Sequence, residues 1–189
     1  MHYHDVAALN ASTGSPAQSR ERERSAPGTY LITFACYGTK IHGEAGTVDL
    51  HHNIPGTPRL PQNSARLAFR LEHMGQLPYS LDKARRSATL RAIQEVCDKK
   101  AWTLLAAHVR TNHVHVVVQA EARPEWVMST FKRYASRALN QLGVDERDHR
   151  CRWARHGSTR YIWTREQLSA AIRYTVSGQG EPFAVHEAP

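Results

Sequence analysis

The stretch Asn112-His113-Val114-His115-Val116-Val117-Val118 carries the strongest structural signal in this chain. Successive side chains of a β-strand point to opposite faces, so Val114, Val116 and Val118 share one face and the two histidines share the other. The valine face predicts a strand that is anchored in a hydrophobic core. The histidine face holds two imidazoles side by side, and such a pair is suited to binding a metal ion. The alternative is a strand whose outer face carries two solvated histidines.

Segments with helix and strand patterns surround this stretch in the order strand, helix, strand, strand, helix, strand, helix. They lie at residues 29–38, 80–100, 102–110, 113–120, 124–142, 159–164 and 165–176. Ser80 is the expected N-cap of the first helix. The order predicts an α+β fold of ferredoxin-like type, in which helices pack on an antiparallel sheet and one helix closes the C-terminal end. Cupin-like barrels also use the His-x-His pattern, but they need many consecutive strands.

The rest of the chain predicts one domain. Residues 1–27 are rich in Ser, Ala, Gly and charge, which predicts a disordered tail, and residues 28–189 then form a single domain. Residues 44–79 contain several prolines and no clean period, which predicts a long irregular stretch. The chain has neither a run of about 18 apolar residues nor the apolar core of a signal peptide. We therefore expect a cytoplasmic protein, associated with the nucleoid and without a membrane partner.

The charge balance favours a polyanionic partner. There are 25 basic and 17 acidic residues, for a net charge of +8, and 20 of the basic residues are arginines, whose planar fork suits phosphate. Residues 130–165 alone contain nine basic and three acidic residues, a local charge of +6. Trp153, Tyr161 and Trp163 are interleaved with these arginines, and aromatic faces stack on unpaired bases. The pattern predicts binding of single-stranded nucleic acid; a solvated basic surface is the alternative.

The histidine motif, in its context, resembles a known family. A strand ending in Val109-Arg110 precedes it, and the strand Tyr161-Ile162-Trp163-Thr164 is followed by a helix with Arg173-Tyr174 near its end. In residues 29–181 the chain resembles the HUH-type single-tyrosine transposases, which include the insertion sequence 200-like and REP-associated tyrosine transposases. The resemblance implies a DNA transposase that cleaves and joins hairpin-containing single-stranded DNA through a 5′-phosphotyrosine. It also implies a divalent metal, Mg²⁺ or Mn²⁺, of which Mn²⁺ suits imidazole better.

The resemblance further implies a tyrosine nucleophile on a helix, for which Tyr134 and Tyr174 are the candidates. Tyr134 lies at the edge of its helix's apolar stripe, which favours a packing role. Tyr174 points away from the stripe of the last helix, one turn before a glycine-rich end, and is the expected nucleophile.

The family's third metal ligand is an Asn or Gln four residues after the tyrosine, which would join His113 and His115. Here Gly178 is at that position and Gln179 follows it, about 140° from Tyr174 on a regular helix. Gly178 and Gly180 could allow the backbone to turn Gln179 back toward the histidines. Gln179 is therefore the expected third ligand.

A set of arginines is expected to contact DNA around this site: Arg110, Arg133, Arg137, Arg152, Arg155, Arg160 and Arg173. The displaced glutamine favours an alternative function, that of a domesticated DNA-hairpin-binding protein with little or no cleavage activity. The sequence is compatible with either a monomer or a homodimer.

Overall fold

A computed structural model describes residues 27–39, 60–143, 150–181 and 183–189. The predicted N-terminal tail up to residue 26 and residues 44–59 of the predicted irregular stretch lie outside the described residues. The strands are β1 (Gly28–Cys36), β2 (Thr103–Val109), β3 (His113–Ala120), β4 (Trp153–Ile162) and β5 (Ala184–Glu187). The helices are α1 (Ser64–Glu72), α2 (Lys83–Lys100), α3 (Pro124–Gln141) and α4 (Arg165–Val176).

The five strands form one antiparallel sheet in the order β4-β1-β3-β2-β5. The first four strands in this order follow the ferredoxin-like arrangement, and β5 extends the sheet beyond β2. The predicted α+β fold with an antiparallel sheet is confirmed. None of the described helices is both long enough and apolar enough to cross a membrane.

The sheet is covered by helices on both faces. On one face, Val114, Val116 and Val118 of β3 join the main hydrophobic core, which is completed by residues of α2 and α3 such as Ile93 and Phe131. On the other face, Leu31, Ala106 and Val117 form a smaller core with Ala171 of α4. Because side chains alternate along β3, the predicted alternation of valines and histidines leaves both histidines on the face that carries α4.

The prediction for the irregular stretch is wrong in part, because α1 lies within it. Asn63 caps this helix by accepting a hydrogen bond from the Arg66 N–H. The helix contains no buried residue, and it follows a proline-rich segment that favours irregular structure. The predicted N-cap of α2 is also wrong: Asp82, not Ser80, caps that helix and accepts from the Arg85 N–H at 2.8 Å.

The last strand and the sheet edge also differ from the prediction. β4 begins at Trp153, six residues before the predicted start, and pairs with β1 from Cys36 back to Thr29. Most of its residues are exposed, so its sequence lacks the alternation that reveals a half-buried strand. β5 was not predicted, and its four residues pair with β2 near the buried His108.

Candidate active site

The two histidines of β3 lie against each other at the end of the sheet where that strand begins. Their ring centroids are 4.8 Å apart. His113 Nδ1 lies 2.7 Å from Asn112 Oδ1, which can only accept, so this nitrogen donates. His115 Nδ1 lies 2.8 Å from the Thr33 hydroxyl on β1, which can accept in the same way. This pairing of Nδ1 with an oxygen is typical of metal-binding histidines, because it directs the Nε2 lone pair to the ion.

His115 is held neutral by its surroundings. Burial lowers its pKa to about 4, and the neighbouring His113 adds to this effect, because a second positive charge beside it is unfavourable. A neutral imidazole is the form that binds a metal. Within the described part of the chain, the buried His115 Nε2 has no hydrogen-bond partner. A buried nitrogen without a partner costs free energy, and a bound ion would remove that cost.

Tyr174 stands directly over His115. It lies in the last turn of α4, and its ring centroid is 5.3 Å from that of His115, with the rings at 80° to each other. The helix is fixed above the sheet by Ala171, Leu168 and Ile172, which pack on the second core. Tyr174 itself is 47% exposed. It therefore combines contact with the histidine pair and access to solvent.

Tyr134 lies elsewhere. It is on α3, which packs on the opposite face of the sheet, and it is half-buried against the main core. The cations of Lys99, Arg133 and Arg137 surround its ring at about 6 Å. The structure therefore brings Tyr174, and not Tyr134, to the histidines.

The chain turns sharply after α4 and returns Gln179 to the site. The Ser177 and Gly178 N–H groups both donate to the Arg173 carbonyl oxygen, which closes the helix. A Cβ on Gly178 would lie 2.9 Å from the Tyr174 carbonyl oxygen, so only glycine fits this close turn. The Gln179 amide nitrogen donates to the same Tyr174 oxygen at 3.2 Å. Its side chain also lies close enough to His115 to raise the pKa of that imidazole slightly against the larger effect of burial.

These residues offer a small set of metal ligands. The described residues contain no cluster of three or more His, Cys, Asp or Glu side chains able to hold an ion. The candidate set is instead His113, His115 and the Gln179 amide oxygen. Two imidazole nitrogens and one amide oxygen suit a divalent ion of intermediate hardness, and they leave room for substrate oxygens. The residues present therefore fit the implied Mn²⁺ better than Mg²⁺.

His108 is a further residue of the site, and the sequence analysis did not single it out. It is completely buried on β2, opposite His115 of β3. Its Nδ1 donates to the Thr175 carbonyl oxygen at 2.9 Å, and its Nε2 accepts from the Phe183 N–H at 3.3 Å. It thus holds both ends of the turn that carries Gln179. The one sign of this role in the sequence is that His108 lies on the strand directly before the His-x-His strand.

Three of the predicted DNA-binding arginines lie near the histidines. Arg160 lines the same cavity as His115 and Tyr174. Arg173 directly precedes Tyr174 and is exposed. Arg110 donates to the Glu181 carbonyl oxygen at 3.1 Å, and its charge adds to the factors that lower the pKa of His115.

The other four predicted arginines are distributed differently. Arg133 and Arg137 lie on α3, on the opposite face of the sheet from Tyr174. Arg155 is exposed on the edge strand β4. Arg152 is only 5% exposed and its guanidinium lies 5.9 Å from the Tyr79 ring, so its contact with DNA stays a prediction that its burial does not favour. Its carbonyl oxygen accepts from the Tyr37 N–H at 2.9 Å, which holds its backbone at the end of β1.

Comparisons with known proteins give a match to a sequence profile and similarity to solved structures. Residues 79–166 match the profile of a family described as "Transposase IS200 like". This segment includes the histidine pair and ends at the second residue of α4, before Tyr174 and Gln179. A search of curated proteins finds no match.

Among solved structures, the chain is similar to one described as a REP-associated tyrosine transposase bound to a REP hairpin, with 10% identity and a TM-score of 0.46. The similarity covers 80% of this chain and 66% of that chain. The present chain thus spans just under two thirds of that structure.

Proposed function

We propose that this chain, whose residues 79–166 match the profile of the IS200-like transposases, is a metal-dependent endonuclease and strand-transferase for single-stranded DNA. The proposed nucleophile is Tyr174, and the proposed substrate is a strand that contains a hairpin end. One observation carries the proposal. A solvent-accessible tyrosine lies 5.3 Å, ring to ring, from a buried histidine that burial keeps neutral and that lies beside a second histidine.

The reaction uses Tyr174 as an oxygen nucleophile. Its Oη attacks the scissile phosphorus in line, the Oη–P bond forms, and the bond from phosphorus to the 3′ oxygen breaks. The phenol proton passes to solvent and the leaving 3′ oxygen takes one up. The product is a 5′-phosphotyrosine that conserves the energy of the phosphodiester. A 3′-hydroxyl of another DNA end reverses the step, which joins the strands without an external energy source.

The metal site completes the proposal. His113, His115 and Gln179 would hold one Mn²⁺ or Mg²⁺. When bound, the ion acts as a Lewis acid that polarises the phosphate and stabilises the leaving oxygen. The chain's own contribution is orientation: Thr33 and Asn112 fix the imidazole rings, and the Gly178 turn fixes Gln179.

Charge supports a nucleic acid as the partner. Arg160 and Arg173 lie beside Tyr174, where they can neutralise the phosphates that flank the reacting one. The exposed Arg155 of β4 adds a further positive charge on this edge strand.

Detection of the covalent adduct tests the proposal. The protein is incubated with Mn²⁺ and a pool of single-stranded oligonucleotides that carry a hairpin with randomised flanks and a 3′ label. Cleavage leaves the labelled fragment on the tyrosine, so a labelled protein band appears in denaturing electrophoresis. Tyr174→Phe removes only the nucleophilic oxygen and should abolish this band. Tyr134→Phe is the matched control and should retain it.

Two outcomes contradict the proposal. An adduct that survives in Tyr174→Phe and disappears in Tyr134→Phe would show that Tyr134 is the nucleophile. If the parent protein forms no adduct with either Mn²⁺ or Mg²⁺ but retains hairpins in a filter assay, the protein is a binder without cleavage activity. The displaced third ligand, Gln179, is the feature that favours this second function.

A further inference from the structure

The edge strand β4 is irregular where it passes the histidine end of the sheet. Trp153 pairs with Cys36 and Gly157 pairs with Phe34, so four steps along β4 oppose only two steps along β1. The β1 residue between these pairs is itself paired, on its other side, with the first histidine of β3. Residues 154–156 therefore form a bulge at the level of the histidine pair. Bulges are common next to active sites, where they redirect side chains.

The Lys132 side chain of α3 binds the carbonyl groups of this bulge. Its ammonium donates to three successive carbonyl oxygens, those of Ala154 at 2.9 Å, Arg155 at 3.5 Å and His156 at 3.2 Å. Carbonyls that a bulge removes from regular pairing need other partners, and the three donors of an ammonium match these three oxygens. Burial lowers the pKa of Lys132, which reflects the cost of removing its charge from water. The three hydrogen bonds offset that cost.

Both ends of the bulge are fixed as well. At its start, the Trp153 indole N–H donates to the Lys132 carbonyl oxygen at 3.0 Å and to the Ser136 hydroxyl at 2.9 Å. At its end, a Cβ on Gly157 would lie 2.5 Å from the Thr33 carbonyl oxygen, so the close approach of β4 to β1 requires glycine there. The bulge is therefore confined between two fixed points, with the lysine ammonium at its centre.

The bulge determines which residues of β4 reach the candidate active site. Beyond it, Ser158 pairs with Thr33 and Arg160 pairs with Leu31, and all four line the cavity beside Tyr174. If β4 continued from its first pair without a bulge, each of its later residues would move two positions, about 7 Å, away from the histidines. The shift is an even number of residues, so their side chains would stay on the same face. The Arg160 guanidinium would nevertheless no longer lie beside Tyr174.

We propose that Lys132 is a positioning residue of the candidate active site, because it holds the β4 bulge that sets Arg160 beside Tyr174. This inference rests on the proposed function, in which Arg160 neutralises a phosphate next to the reacting one. The Lys132 ammonium itself lies on the α3 face of the sheet, 5.7 Å from the centre of the Phe34 ring in the main core. It therefore acts on DNA binding through the strand and not by contact with a phosphate.

Binding measurements in the Tyr174→Phe background test this without cleavage. The affinity for a dye-labelled oligothymidylate is measured by fluorescence anisotropy over a range of salt concentrations. Arg160→Gln should weaken binding by about 3- to 10-fold and reduce the slope of log affinity against log salt by about 0.7. Lys132→Met, which keeps the length of the side chain, should do the same. The double variant should lose no more than either single variant, because both changes remove the same contact.

Two control variants match the loss of charge and the loss of a hydrogen bond. Lys99→Met removes an exposed cation near the Tyr134 ring, and Ser136→Ala removes one of the two acceptors of the Trp153 indole. Both should bind with the affinity and the salt slope of the parent. Gly157→Ala disturbs the bulge without removing a charge. It should weaken binding, and its effect should not add to that of Arg160→Gln.

The strand register is measurable without DNA. Cross-strand nuclear Overhauser contacts should link Leu31 with Arg160 in the parent and weaken or disappear in Lys132→Met. An unchanged register in Lys132→Met would overturn the proposal, and so would losses of affinity that add to those of Arg160→Gln. If Lys132→Met does not fold, Lys132→Gln, whose amide keeps two donors, and Gly157→Ala provide the same comparison. Failure of the proposed chemistry has a different signature, namely no adduct in the parent while the coupling between Lys132 and Arg160 persists.

Discussion

His108 provides the most informative single perturbation of the site. Its imidazole is completely buried, and both ring nitrogens form hydrogen bonds that cross from β2 to the two ends of the Gln179 turn. His108→Phe keeps the volume of the ring and removes both bonds. It leaves the Thr175 carbonyl and the Phe183 N–H without that partner, at about 1–3 kcal/mol for each buried group. We expect the free energy of unfolding to fall by about 3 kcal/mol.

The assay must distinguish a general loss of stability from a local loss of positioning. Urea unfolding gives the stability change, with His186→Phe as the control, because His186 on β5 contacts Gln94 of α2 at 3.3 Å and not the Gln179 turn. Calorimetry with Mn²⁺ and the yield of adduct are then measured at a temperature where the His108→Phe protein remains folded. Both should fall at least tenfold, because the turn no longer holds Gln179 and Tyr174 over the histidines.

Two results would refute this reasoning. If His108→Phe and the parent unfold at the same urea concentration, the two hydrogen bonds contribute no net stability. If stability falls but Mn²⁺ affinity and adduct yield in the folded protein do not change, His108 supports the fold without positioning the site. Partial recovery in His108→Gln, whose amide can replace one bond, would support the positioning role.

Three further predictions follow from the geometry of the site. His113→Ala and His115→Ala should each abolish Mn²⁺ binding in calorimetry and leave the circular dichroism spectrum unchanged; undiminished Mn²⁺ affinity would rule out the ligand set. Because burial lowers the pKa of His115 to about 4, the unfolded state binds more protons between pH 4 and 6.5. Unfolding free energy should therefore decrease as pH falls through this range, by about 2 kcal/mol after solvent screening, and less in His115→Ala. Gly178→Ala should weaken Mn²⁺ binding, because its Cβ meets Tyr174, while Gly75→Ala, with open space around it, should not.

The parts of the fold that were predictable from sequence are those whose signal is local. The alternation of valines and histidines in β3 assigned both faces of that strand correctly. α3 was expected over residues 124–142 and buries Val127, Phe131 and Ala135 on one face. In each case a periodic set of apolar side chains faces one core, so the pattern is visible within a few residues of the chain.

The parts that escaped prediction depend on partners that are remote in sequence. The bonds of His108 reach Thr175 and Phe183, which are 67 and 75 residues away. The exposed half of β4 is held by backbone pairing to β1, which leaves no hydrophobic signature in its own sequence. Arg152 directly precedes β4 and is buried beside Tyr79. A count of charges along the chain does not reveal this burial.

Gln179 shows why spacing along a helix was an incomplete guide to the third ligand. A regular helix separates it from Tyr174 by about 140°, which would point the amide away from the histidines. The helix, however, ends at Val176, and both Ser177 and Gly178 bond back to the Arg173 carbonyl. From that point the position of Gln179 is set by a tight turn over the Tyr174 backbone, where its amide bonds to the Tyr174 oxygen and its side chain approaches His115. The extra residue is absorbed by the turn, so a spacing of five is compatible with the same ligand position as a spacing of four. The position of Gln179 therefore depends on the close turn at Gly178 and not on the regular spacing of a helix. A larger side chain at Gly178 would move Gln179 and so disturb the proposed metal site.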